Sequence, residues 1–182
     1  MTTSVRSDPA ELILGAVDTC LELAATWYAW DGRPRVSEPT DNIPGGTVFT
    51  PQKAIRRITD HLVDHLAELE ALLAGAEPIS DTWHGRTVTL ASDWAPFTEA
   101  DLNEAGNRLR RLGQLYALRL RSLDEQALDA PRGQAWTVRQ IVEHVAGVTW
   151  YAEQVGRLHA RRARSGQGRP SPQKERTDAW CS

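Results

Sequence analysis

Three histidines hold the most obvious chemistry in this chain. His61 and His65 stand four apart in ITDHLVDHLAEL, a spacing that puts two imidazoles on one helix face about one turn apart. His144 stands in a second run, QIVEHVAGV. Three imidazoles from two neighbouring helices can hold a divalent ion and leave one position open for water or substrate. Zn²⁺ and Ni²⁺ suit such a nitrogen-rich set, and Fe²⁺ is compatible with it. Asp60, Asp64 and Glu143 adjoin the histidines and are candidate outer-sphere carboxylates. Tyr151 is a candidate hydrogen-bond donor in catalysis and Arg57 a candidate anion contact. Trp27, Trp30 and Trp150 are candidate walls of a substrate pocket. No Ser or Cys stands beside the histidines, so chemistry here would come from metal-activated water or an exogenous thiol. The alternative for the same residues is three hydrogen-bonded histidines at a helix seam.

The elements that must position these groups follow from hydrophobic periodicity. Asp8 caps a first helix that opens at Pro9, with Glu11 in its first turn. Ile13, Val17, Cys20, Leu21, Ala24, Trp27 and Tyr28 recur at three and four, a helical period. The pattern fails at Asp31-Gly32, and SEPTDNIPGG reads as a loop. Thr50 and Pro51 open a second helix carrying Ile55, Ile58, Leu62, Leu66, Leu69 and Leu72. With Ile58 at zero and about 100° per residue, His65 falls inside that stripe at about −20° and His61 at its edge, about −60°. Gly75 and Pro78 end the helix.

Residues 76–96 are longer than a bare helix–helix turn and read as a crossover containing Trp83, His84 and Trp94. Val88–Leu90 reads as extended, with no second strand to pair with it. Thr98 and Asp101 form a capping box for a third helix, buried through Leu102, Ala105, Leu109, Leu112, Tyr116 and Leu123. Thr137 caps a fourth helix, predicted to run unbroken through Ile141, Val145, Val148, Ala152 and Val155. The expected fold is all-α: a four-helix bundle over residues 1–160, with a long crossover between helices 2 and 3. Residues 161–182 are expected to form a flexible basic tail.

Composition narrows the function class. The chain has 182 residues and a formal charge of −3, enough length for one domain with a full core. From residue 160 onward six basic residues face two acidic ones, leaving −7 on the body. No basic stripe with interleaved aromatics marks nucleic-acid binding. The two cysteines, Cys20 and Cys181, make no disulfide scaffold, and Cys20 reads as a packed core residue. No apolar run is expected to reach membrane-spanning length. These features point to a reduced, cytoplasmic protein with no membrane and no nucleic-acid partner.

The second and fourth helices echo each other. FTPQKAIRRITDHLVDH and AWTVRQIVEHV each place an aromatic residue, a Thr, a basic first turn and then an acid–His pair before an aliphatic residue. The stretch LRSLDEQALDAPRGQAWTVRQIVEHVAGVTWYAEQVGRL resembles the DinB/YfiT-like superfamily, through Trp136, Thr137, Val138, Glu143 and His144. TPQKAIRRITDHLVDH is more loosely similar. The resemblance implies a four-helix bundle with a long middle crossover and a divalent metal on three histidines. His144 matches the family's single-helix ligand, and His61 and His65 supply the i, i+4 pair. Here the pair precedes the single histidine, the reverse of the usual order. The resemblance further implies a metal-dependent hydrolase or thiol-dependent transferase acting on a small molecule, with a low-molecular-weight thiol as co-substrate. Apolar residues beyond a single seam of the bundle suggest a homodimer as the assembly. The alternative is a non-catalytic helical bundle that binds a small ligand or a protein partner.

Overall fold

Side-chain caps fix where each long helix begins. In the computed structural model, which describes residues 7–39, 44–79, 85–133 and 135–159, Asp8 accepts the Ala10 amide at 2.9 Å and Pro9 opens α1 (Pro9–Ala24). Thr50 accepts the Lys53 amide at 3.2 Å, and Pro51 opens α2 (Pro51–Leu73). At α3 (Glu99–Arg121), the Thr98 amide donates to Asp101 at 2.7 Å and the Asp101 amide returns a bond to Thr98 at 3.3 Å. A short α4 (Glu125–Asp129) follows. Thr137 and Gln140 cap α5 (Val138–Ala146) reciprocally, and α6 (Thr149–Val155) completes the order.

The fold is all-α, built from several packed helices around one hydrophobic core. That core runs from Ala10 and Ile13 through Leu62, Leu109 and Val145 to Val155. α1 packs on α3, α5 and α6, and α2 packs on the same three helices. The burial stripes lie where the period places them, with Ile13, Ile58, Leu62, Leu109 and Val145 fully buried. The tail over 161–182, together with Trp83 and His84, lies outside the described residues.

Three features depart from the sequence expectations. The fourth helix is interrupted at Gly147. There the Gly147 and Val148 amides bond to His144 and Val145, three residues back rather than four, and Trp150 bonds to Gly147 in the same way. Glycine and the β-branched Val148 and Thr149 are weak helix formers, and the tighter turn sits where they cluster. The loop after α1 also contains an antiparallel ladder. β1 (Arg35–Val36) pairs with β2 (Val48–Phe49), Arg35 opposite Phe49, and this delivers Phe49 into the core. Gly46 permits the return, since its φ is 69° and a Cβ there would lie 2.2 Å from the Ser37 carbonyl. Thirdly, Pro9–Ala29 is long and apolar enough to cross a membrane by length and composition, contrary to the expectation that no run would be. Its stripe of Ile13, Val17, Cys20, Leu21 and Ala24 is buried within the core.

The crossover after α2 is fastened to the start of that helix. Asp93, in the 3-10 turn Ala91–Trp94, takes Arg56 through two bonds of 3.0 and 2.7 Å. Its carbonyl also accepts the Thr50 hydroxyl. Thr50 therefore caps α2 and ties the crossover down with one side chain. Replacing Thr50 with alanine is expected to destabilise the fold by about 1–2 kcal/mol, read by urea unfolding. A loss below the noise would show that the cap and tie contribute nothing.

Candidate metal centre

The two helical runs meet at the histidines. α2 presents His61 and His65 from successive turns, and α5, packed on α2, presents His144 from its last turn. Ring centroids are separated by 4.6 Å for His61–His65, 5.0 Å for His61–His144 and 4.9 Å for His65–His144. One ligand atom from each of the three lies within 4.8 Å of the others. A tetrahedral zinc site with Zn–N of about 2.0–2.1 Å needs nitrogens about 3.4 Å apart, so small side-chain rotations would close the set.

Electrostatics favours the ligating form of His61 and His144. Burial, reinforced by His65, His144 and Arg57, pushes the His61 pKa down to about 3. Burial and then His65 also lower that of His144, with Glu68 acting the other way. A neutral imidazole with a free lone pair is what a metal requires. His65 Nδ1 lies 2.7 Å from Glu68 Oε2. That contact assigns the proton to Nδ1 and leaves Nε2 free to bind an ion.

Glu68, three residues beyond His65, is thus a carboxylate on the cluster. Of the acids singled out from sequence, Asp60 instead bonds Arg57 Nη1 at 3.0 Å and lies 3.7 Å from Arg56. Asp64 lines the adjoining cavity, and Glu143 is exposed. Trp136 is a second group that site selection by spacing overlooked. Its ring lies 4.9 Å from that of His144. It appeared only as part of the Trp–Thr phrase before the helix, and that position was the available signal.

The cluster opens on a cavity of about 770 Å³ lined by Arg57, His61, His65, Glu68, Arg132 and Trp136, among others. Tyr151 is at the cluster, with its ring 5.7 Å from His61 and the Arg57 guanidinium 5.6 Å from its centroid. The three tryptophan candidates, Trp27, Trp30 and Trp150, do not line this cavity. Trp27 is fully buried, donates Nε1–H to the Gly156 carbonyl at 2.9 Å and meets Phe97 edge-on; it is core. Trp30 donates to the Arg33 carbonyl in the loop after α1. Trp150 packs on Phe49 and under the Arg86 guanidinium. Cys20 is also core, and burial, with Glu153 adding to it, pushes its thiol up to about 12.

The depressed His61 pKa carries a pH dependence of stability. Above the ordinary histidine value of about 6.5 both folded and unfolded chains hold His61 neutral. As pH falls below that value the unfolded chain binds a proton that the folded chain refuses, until pH approaches about 3. Stability of the metal-free protein is therefore expected to decline across that window. A His61→Gln variant should show a shallower decline in thermal midpoint between pH 7 and 4. Parallel profiles for the two proteins would contradict the assignment.

No protein-family model, curated protein or solved structure matches this chain.

Proposed function

We propose that this chain is a DinB/YfiT-like, divalent-metal-dependent enzyme, a hydrolase or a thiol-dependent transferase acting on a small molecule. The observation that carries the reading is the convergence of His61, His65 and His144 from two helices, with ligand atoms within 4.8 Å and an adjoining cavity. In the same reading, α5 and α6 are one interrupted fourth rod of the bundle, and residues 76–96 are its long crossover. A Zn²⁺, Ni²⁺ or Fe²⁺ ion on three neutral imidazoles would acidify a coordinated water or thiol and stabilise developing negative charge.

The protein's own groups have defined parts in this proposal. Glu68 holds the His65 ring, and Tyr151 is the hydrogen-bond donor beside His61. Among the described residues, the cavity lining includes no Ser, Thr, Cys or Lys, and Cys20 is sealed in the core. That supports a nucleophile supplied from outside the chain.

A panel of chromogenic esters and electrophilic thiol acceptors, assayed with and without a low-molecular-weight thiol, tests the proposal. Turnover is expected only with added Zn²⁺, Ni²⁺ or Fe²⁺, to vanish with chelator and to be absent from His61→Ala. Turnover that survives both chelation and that substitution would contradict it.

A further inference from the structure

Arg57 extends the histidine stripe. Arg57, His61 and His65 stand at intervals of four on α2, so the guanidinium lies one turn before the first imidazole. It lines the same cavity as both histidines, yet is only 5% exposed. Its Nη1 donates to Asp60, and its Nε is buried with no acceptor. Asp60 also faces Arg56, whose main partner is Asp93, and the Lys53 ammonium acts on Asp93 as well. Among the described residues, the ionic contacts of Lys53, Arg56 and Arg57 run to two carboxylates, Asp60 and Asp93. A buried donor left without an acceptor is costly and calls for a missing partner.

The acids of the cavity lie further along. Asp64 and Glu68 follow Arg57 by seven and eleven residues, about 10 and 16 Å at helical rise. Glu68 is engaged by His65, and Glu77 comes later still, beyond the end of α2. Arg57 therefore stands at the end of the cavity farthest from its lining acids, with Asp60 as its present partner.

We propose that this cavity takes a small organic anion whose acid group is shared between Arg57 and an ion on the three histidines. The proposal rests on the metal reading above. Three imidazole ligands carry no charge, so the ion keeps its full double charge and favours an anion in its open position. The guanidinium fork matches a carboxylate or phosphate geometrically. Binding would require Arg57 to leave Asp60 to Arg56, whose Nη1 lies 3.7 Å from that carboxylate. Trp136, whose ring lies 4.9 Å from that of His144, supplies an apolar surface beside the cluster, and about 770 Å³ is ample for a small molecule.

The test is titration of the Co²⁺-loaded protein with acetate and with its neutral analogue acetamide, followed by visible absorption. Acetate is expected to shift the spectrum saturably and acetamide to leave it unchanged at equal concentration. Arg57→Gln should weaken acetate by about tenfold or more while Co²⁺ affinity stays within about threefold, and Arg57→Lys should fall between. If Arg57→Gln fails to fold, Arg57→Lys and the acetate–acetamide comparison in the parent decide. Equal acetate affinity in parent and variants, or acetamide binding as well as acetate, overturns this proposal alone. A parent chain that takes up no Co²⁺ overturns the metal reading, and this proposal with it.

Discussion

Replacing His61 with alanine is expected to lower Zn²⁺ affinity by more than about 100-fold, beyond what loss of an outer-sphere partner costs. His61 is central to the cluster. It contacts both other imidazoles and Tyr151, and it bears the large downward pKa shift. Without it, His65 and His144 face each other at 4.9 Å as a two-ligand site on separate helices. The substitution removes a partly buried ring whose charged form the fold disfavours, so folding should survive. Competition against a chromophoric chelator, with circular dichroism as the control for folding, reads both effects. Unchanged Zn²⁺ affinity in the folded variant would mean that the imidazoles meet for packing alone.

The largest stability effect is expected at Trp27. Trp27→Ala should destabilise the protein by about 3–5 kcal/mol, the range for emptying a buried aromatic site. Its ring is fully enclosed, packs edge-on against Phe97 and holds the Gly156 carbonyl at the end of α6. Gly156 turns the chain there with a φ of 70°, so the bond from Trp27 pins α6 to the segment after α1. Since a domain of this size has only about 5–15 kcal/mol in hand, Trp27→Phe is the safer companion. It keeps an aromatic ring in the site and leaves the carbonyl unpaired, for about 1–3 kcal/mol. Denaturant unfolding checks both, and Zn²⁺ affinity of the folded Trp27→Phe variant should match the parent. Weakened metal binding with undiminished stability would place Trp27 at the site rather than in the core.

Helix starts were legible because their signals are local. Asp8-Pro9, Thr50-Pro51, Thr98 with Asp101, and Thr137 each act within three residues and cap as expected. The histidine face was legible for the same reason, since i, i+4 spacing and an edge position on the apolar stripe are properties of one helix. The break at Gly147 was hidden, because a single glycine inside an otherwise periodic run is usually tolerated. The β1–β2 ladder was hidden because two-residue strands show no alternation. Glu68 was passed over in favour of acids adjacent in sequence. An adjacent residue points about 100° away around the helix, whereas one three further on shares its face. Trp27 shows the converse limit: indole chemistry allows a pocket wall or a core, and only the packing of Phe97 and α6 around it decides.

The central claim, a three-histidine metal centre, is tested most directly by elemental mass spectrometry. The protein is purified without a histidine tag or chelator and incubated with Zn²⁺, Ni²⁺ or Fe²⁺, beside a His61/His65/His144 triple alanine variant. The account predicts close to one ion per chain in the parent and none in a variant that still folds. A parent that retains no metal after exposure to all three ions, or a folded variant that retains as much as the parent, would contradict it.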